Sequence, residues 1–156
     1  MNMQNELIEA ETNYPAAGSG VWTSGAINKN GLRTILVPTD FSEYSDMALR
    51  TALDIAKQKN ASIYLLHVTG IRQIEDKKEI MQTQIDKFPD AKLVEITPDI
   101  RKGAPYEAIL KMQAEKEIDL IVVALHGKTK LPHFLAGGMA KKVIKRAKCS
   151  VLVVGD

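Results

Sequence analysis

The sequence is poor in the residues that tie a protein together covalently or hold a metal. One of its 156 residues is cysteine, Cys149, so the chain can form no internal disulfide. A single thiol is typical of a reducing compartment, and we expect the protein to be cytoplasmic. The three histidines, His67, His126 and His133, are not paired at short spacing, so we expect no metal site.

Excess charge of one sign and long apolar runs are also missing. The formal net charge is +2, well below the clustered positive charge of a typical nucleic-acid-binding domain. The longest apolar run, residues 120–125, is far shorter than the roughly 20 residues that cross a bilayer. No lysine or arginine precedes Lys29, so the basic start of a secretory signal is absent. We expect neither nucleic-acid binding nor membrane insertion.

Residues 1–30 differ from the rest of the chain. They are rich in asparagine, glycine and serine and show no hydrophobic periodicity, which predicts a flexible tail. Trp22 is an exception in this segment, and it either makes a local or exposed contact or docks on a partner. The length and the regular pattern of residues 31–156 indicate one folded domain.

Short apolar runs alternate with helical patterns from residue 31 onward. The predicted strands are residues 34–38, 62–68, 93–97, 119–125 and 151–154. The predicted helices follow Ser42, cover 77–88, begin at Pro105 and cover 138–147. This order predicts an α/β fold with an open five-stranded parallel sheet, Rossmann-like, and helices on both faces. Ligands of such sheets bind beyond the carboxyl ends of the strands.

The loop from His126 to Gly138, after the fourth predicted strand, has the character of a phosphate site. Glycines before a helix let the backbone approach an anion, and the free amides of the helix start favour phosphate. The same glycines also suit an ordinary turn, so local chemistry leaves both interpretations open. The loop is not a Walker motif, because Pro132 follows Gly127 by five residues where that motif has a second glycine.

Ordered landmarks in this chain resemble the universal stress protein family from about Leu32 to the end. They include an ILVPTDFS segment, Gly103 followed by Pro105 and a helix, and an apolar final strand that begins CSVLVV. The stretch Val122–Met139 resembles the family's nucleotide signature G-x-x-G-x9-G-[ST]. Gly127 and Gly137 then take its second and third glycines.

The resemblance implies a site that binds an adenine nucleotide through hydrogen bonds and apolar packing. The expected ligand is ATP, with or without magnesium. The implied nucleotide-binding residues are Pro38, Thr39, Asp40, Val68, Gly127, Lys128, Gly137, Gly138 and Met139. Asp40 would bind ribose or base, although an aspartate here also suits a turn. The protein would be a stress-response regulator or sensor that acts through an unidentified protein partner.

Two positions depart from the signature. Ala124 stands where the first glycine is expected, and its methyl group could crowd a ligand. Gly138 stands where serine or threonine is expected, which removes a hydroxyl from the phosphate site. AMP in place of ATP, or no nucleotide at all, therefore remains open. The alternative function is a nucleotide-independent homodimeric interaction protein of the same fold.

The final strand is the expected contact between two copies of the chain. An apolar edge strand invites pairing, and the resemblance implies a homodimer through Val151, Leu152, Val153 and Val154.

No residue is assigned a catalytic role, so we expect at most slow ATP hydrolysis. An ATP-pyrophosphatase relative would need a Ser-Gly-Gly loop after the first strand, where this chain has Thr39–Ser42.

Overall fold

A computed structural model describes residues 19–23, as backbone only, together with residues 31–70, 74–125 and 138–155. These ranges contain one sheet in the order β1-β6-β5-β2-β3-β4. Its strands are β1 (Ser19–Thr23), β2 (Thr34–Pro38), β3 (Ser62–Thr69), β4 (Ile96–Lys102), β5 (Leu120–Ala124) and β6 (Ser150–Gly155). The helices are α1 (Glu43–Lys59), α2 (Ile74–Asp86), α3 (Pro105–Glu115) and α4 (Gly138–Arg146), and a 3₁₀ helix (Pro89–Leu93) precedes β4.

The strands from β2 to β6 are mutually parallel, and helices cover both faces of the sheet, as predicted. On one face the α1-side core contains Ile35, Val37, Leu49, Leu53, Leu65 and Met81. On the other face the α4-side core contains Leu36, Leu66, Ile109, Met112, Val143 and Val153. Among the helices that the structure describes, none combines the length and the apolar character needed to cross a bilayer.

The first helix begins and ends at the residues expected from the sequence. The Ser42 side chain accepts a hydrogen bond from the Ser45 amide and caps the start of α1. Asn60 takes a left-handed conformation with a φ of 53° and ends the helix. These local signals fix the position of α1 beneath the loop that follows β2.

The region from α2 to β4 differs from the expectation. The predicted helix 77–88 begins at Ile74, and the predicted strand 93–97 lies at Ile96–Lys102 instead. Residues Pro89–Leu93, which we expected to be partly strand, form the 3₁₀ helix, with Pro89 at its start. β4 is an edge strand with mostly exposed or half-buried residues, so the continuous apolar run expected of a buried strand is absent there.

The outer side of β6 is the second departure from the expectation. Ser19–Thr23 form β1, which pairs antiparallel with β6 from Ser19 opposite Gly155 to Thr23 opposite Val151. These five residues belong to the segment 1–30 that was expected to be a flexible tail, and in the structure they form a strand. The expectation that the last strand forms a free edge is also wrong, because β6 has β5 on one side and β1 on the other. Val21, Trp22 and Thr23 have strong strand preference, a local signal that is present without any hydrophobic periodicity in the segment.

Candidate functional site

The sheet has a switch point between β2 and β5. From β2 the chain continues to β3 on one side, whereas β5 and β6 occupy the other side. Helices attached to these two halves lie on opposite faces, and sheets with such a switch point have a crevice there, at the carboxyl ends of the strands. The carboxyl ends of β2 and β5, which the two expected ligand-binding loops follow, are therefore neighbours at the position where such sheets bind ligands.

The ladder between β2 and β5 stops before both strands end. Its register pairs are Ile35 with Leu120 and Leu36 with Ile121, although β2 continues to Pro38. The Thr39 amide donates to the Leu66 carbonyl on β3 at 2.8 Å. Neighbouring residues of a strand bond to opposite sides, so the nitrogen of Pro38 faces β5, where it has no hydrogen to donate. Pro38 thus ends the ladder and opens the crevice.

A chain of side-chain hydrogen bonds joins the loop after β2 to α2. The Thr39 hydroxyl donates to Oε1 of Gln84 at 2.9 Å, and both side chains are buried. Nε2 of Gln84 donates to Oδ1 of Asp46 at 2.8 Å. Lys87 donates to the other oxygen of Asp46, also at 2.8 Å. Each buried polar side chain in this series of hydrogen bonds has a partner, and the series holds Thr39 in one orientation.

Asp40 lies in the turn that leads into α1. Its Oδ1 accepts hydrogen bonds from the Ser42 amide, at 3.0 Å, and from the Ser45 hydroxyl. Phe41 has a φ of 66°, an unusual value for a bulky side chain, and its amide donates to the Thr39 hydroxyl at 3.0 Å. Strained backbone of this kind persists where its surroundings hold it, often at functional sites. In this turn Asp40 has the structural role that the sequence left as its alternative.

His67 supports the same turn from β3. Its Nδ1 lies 2.8 Å from the Thr39 carbonyl oxygen, which can only accept, so Nδ1 carries the proton. The His67 ring also lies against the Phe41 ring, with centroids 4.3 Å apart. His67 and Gln84 are the site residues that sequence reasoning missed. The only sign of either residue in the sequence was a polar side chain at an inward-facing position of a predicted strand or helix.

α4 packs on the opposite face of the sheet from α1. Gly138 is exposed, and a Cβ placed on it would meet no atom of the described residues within 4 Å. The first turn of α4 contains no acidic residue, unlike the first turns of α1, α2 and α3. Its unpaired amides therefore meet no competing carboxylate from their own helix.

Two of the expected nucleotide-binding residues lie on this face of the sheet. Val68 and Met139 are half-buried and both pack against the α4-side core. Gly127, Lys128 and Gly137 lie outside the described residues. Of the described members of the expected site, Pro38 to Asp40 lie at the end of β2 and in the turn after it, Val68 lies near the end of β3, and Gly138 and Met139 begin α4.

Ala124, the first departure from the signature, is at the end of β5. It is half-buried and packs against the α1-side core, on the opposite face from Val68 and Met139. The Ala124 methyl group therefore points away from the face on which Val68 and Met139 lie, so it would not crowd a ligand bound on that face. The backbone next to Ala124 is held to β6 by the hydrogen bond from the Leu125 amide to the Val154 carbonyl, at 2.8 Å.

The chain's one cysteine has no contact with the crevice. Cys149 is buried in the α4-side core just before β6. Burial raises the pKa of its thiol to about 12, so the group is un-ionised and inert at neutral pH. Among the described residues, no three histidine, cysteine, aspartate or glutamate side chains are grouped to hold a metal ion.

The sequence was compared with models of known families. The model of the universal stress protein family matches residues 31–155, which include every strand of the parallel sheet. The chain belongs to this family. Universal stress protein MJ0531 of Methanocaldococcus jannaschii is 31% identical over 143 residues, which cover 81% of this chain and 84% of the relative.

Solved structures of family members share the fold. A universal stress protein crystallised in complex with cAMP is 28% identical, with a TM-score of 0.66 over 79% of this chain and 96% of the other. The structure of protein MJ0577 is 31% identical, with a TM-score of 0.65 over 78% of this chain and 94% of the other. The parallel sheet with its helices is therefore the universal stress protein fold.

Proposed function

We propose that this universal stress protein binds an adenine nucleotide, with ATP as the expected ligand, in the crevice between β2 and β5. The observation that carries the proposal is the early end of the β2–β5 ladder at Pro38, together with a start of α4 that has no acidic residue in its first turn. The cAMP complex of a relative 28% identical supports an adenine nucleotide as the ligand class. The role we infer is that of a cytoplasmic stress-response regulator whose partner contacts depend on the bound nucleotide.

Each wall of the crevice would bind a different part of the nucleotide. The adenine ring would pack between Val68 and Met139, which present half-buried apolar surface on one face. The phosphates would accept hydrogen bonds from the amides at Gly138 and from the glycine loop that precedes it. Thr39, whose hydroxyl donates to Gln84, would hold in place the loop backbone that contacts the adenosine.

We propose binding without rapid turnover. A general base must reach the attacking water with a free acceptor atom. The Asp40 carboxylate is held in the turn, where its Oδ1 accepts from Ser42 and Ser45, so it is oriented for a structural role. A magnesium ion that accompanies ATP would be bound mainly through the phosphates.

Calorimetric titration of the full chain with Mg-ATP, AMP and cAMP tests the proposal. Gly138→Ser restores the hydroxyl of the family signature, and the open space around Gly138 accommodates it. One added hydrogen bond to a charged group strengthens binding by about tenfold or more. Gly138→Ala is the matched control, because it adds the same Cβ without a hydroxyl. Gly127→Val should abolish binding by blocking the approach of the phosphates.

Saturable binding that follows the order Gly138→Ser, Gly138→Ala and Gly127→Val, from tightest to weakest, would support the crevice as the site. No heat with any of the three nucleotides at millimolar concentration would contradict it. The protein would then be the nucleotide-independent interaction module of the same fold.

We also propose that the chain forms a homodimer through β6, at Val151–Val154. All six residues of this strand are buried, and none of them is charged. Such a strand pairs readily with another chain when one side is open. In the structure that side is occupied by β1, so dimer formation requires that β1 leave.

A further inference from the structure

The pairing of β1 with β6 is the one antiparallel contact among the described strands. β6 runs parallel to β5, so β1 runs opposite to the whole parallel sheet. A second copy of β6 related by a two-fold axis would also have to run antiparallel to β6. β1 and a second copy therefore compete for the same backbone groups in the same direction.

The hydrogen-bonding side of each residue follows from one contact on β6. The Val154 carbonyl accepts from the Leu125 amide on β5, so Val154 bonds toward β5. Its neighbours Val153 and Gly155 then bond toward β1, because successive residues alternate. Val21, opposite Val153, must donate its N–H to β6, whereas Gly20, opposite Val154, directs its N–H away from the sheet.

The connection from β1 to β2 is long enough for pairing within one chain. Thr23 lies opposite Val151 near the start of β6, at the same end of the sheet as Thr34, where β2 begins. β1 and β2 are separated by β6 and β5, so the span is about 14 Å at the usual strand spacing. Residues 24–33 can cover about 33 Å when extended, which makes the intrachain contact easy to reach.

β1 is also the strand that is easiest to detach. It has five residues and pairs on one side only, with β6. Gly20 weakens it further, because glycine has low strand preference. Short segments that are held by few backbone bonds open at the lowest free energy.

We propose that β1 is a removable cap on an interaction surface, and that this surface, the outer edge of β6, binds β6 of a second copy of the chain. The inference rests on the homodimer of the proposed function and adds how dimer formation is regulated. A short tether gives β1 an effective concentration of about 1 mM. With the chain at about 10 μM, the cap then has an advantage of roughly 100-fold over a second copy. Loss of the cap converts monomer to dimer.

Sedimentation of the full chain at about 1–100 μM, wild type beside Val21→Pro, tests the proposal. Proline at position 21 removes an N–H that bonds to β6, so the variant should be dimeric where the wild type is monomeric. Gly20→Pro is the matched control, because its nitrogen faces away from β6 and an edge strand tolerates proline there. It should stay monomeric at about 10 μM.

Two outcomes would overturn the cap. One is a wild-type dimer that the Val21→Pro change leaves unaltered. The other is a monomeric Val21→Pro variant whose β6 amides have lost their protection from hydrogen exchange, since the bare edge would then attract no second copy. Calorimetry on the same samples keeps nucleotide binding as a separate result, since the crevice and the β6 edge share no described residue.

A reversible lock gives the complementary test. Gly20 and Val154 lie opposite each other in the non-hydrogen-bonded register, with the Cα separation of about 4.5 Å that suits a disulfide. Gly20→Cys/Val154→Cys, once oxidised, should stay monomeric at every concentration and resume the wild-type behaviour when reduced. Cys149 is buried and un-ionised, so it does not compete. A disulfide between two chains in non-reducing electrophoresis would show that β1 pairs in trans, against the proposal.

Discussion

β4 and β6 are the outer strands of the parallel sheet, and they differ in almost every respect. β4 contains Pro98, two basic residues and one acidic residue, and most of its residues are exposed or half-buried. β6 has no charged residue, and all of it is buried. β4 protects its edge with its own side chains, whereas β6 is covered by another segment of the chain. A cover of the second kind can be removed, so the β6 edge is suited to regulation and the β4 edge is not.

The proline of β4 is placed on the side where it protects. The Glu95 carbonyl accepts from the Ile63 amide on β3 at 2.9 Å, so the residues of β4 with odd numbers bond toward β3. Pro98 therefore has its nitrogen on the outer side and removes a donor from the exposed edge. Arg101 adds charge and connects the strand to Asp99 at 3.1 Å and to Glu115 on α3 at 2.8 Å.

The largest difference between the edges should appear in stability. Leu152 on β6 is 5% exposed, and Leu152→Ala should lower the free energy of unfolding by about 3 kcal/mol. Ile100 on β4 is half-buried, and Ile100→Ala should cost about 1 kcal/mol. Denaturant unfolding with an unchanged m-value measures both. Equal losses would mean that the two edges are packed alike.

The next effect concerns association through β4. Pro98→Val restores an outward N–H without disturbing the bonds to β3, so this edge should now self-associate at high concentration. Light scattering at about 0.5 mM measures the change. Thr97→Val is the control, since it adds a similar apolar side chain at an exposed position whose N–H already bonds to β3. If both variants scatter alike, side-chain apolarity controls the edge and the missing donor does not.

A smaller effect should follow from the ion pairs of β4. Arg101→Met removes the contacts with Asp99 and Glu115, and the loss should be about 0.5 kcal/mol at low salt and less in 1 M salt. Lys111 is mostly exposed and lies 3.9 Å from Glu115, so Lys111→Met serves as the comparison and should change stability very little. Unfolding at both salt concentrations measures this. A salt-independent loss would indicate that the side-chain stem of Arg101 stabilises through packing.

The smallest effect is the acid dependence of the segment that leads into β4. The hydrogen bond from Lys57, followed by those from Arg50, lowers the pKa of Asp90 in the 3₁₀ helix. A carboxyl with a lowered folded pKa stabilises above its unfolded pKa near 3.9 and loses that contribution as pH falls through the folded value. Asp90→Asn should therefore flatten the decline of the unfolding midpoint below about pH 4. An unchanged decline would assign the acid sensitivity to other carboxylates.

Much of the parallel sheet could be predicted because its buried strands are continuous apolar runs. β2, β3, β5 and β6 lie within a few residues of their predicted positions, and Ser42 and Asn60 marked the ends of α1. β4 was misplaced because an edge strand need not be apolar. β1 was missed because five residues in a polar tail carry a weak local signal.

The candidate site divides in the same way. Pro38 and Thr39 were predicted as site residues because they end and directly follow a strand. Gln84 and His67 were not, since they lie 45 and 28 residues from Thr39 in the chain and meet it only through folding. Their inward polar side chains gave no indication of which partner they would bind.

The amino-acid sequence by itself determined the alternation of strands and helices, the parallel sheet, the two loops at its carboxyl end and the family. Those features depend on local periodicity, on turn residues and on short motifs. The tertiary structure alone decided which face carries the methyl group of Ala124, which residues hold Thr39, and which strand covers β6. Each of these depends on register and packing between residues far apart in the chain, and the physical reason is that many partners satisfy the same local pattern until the whole fold selects one.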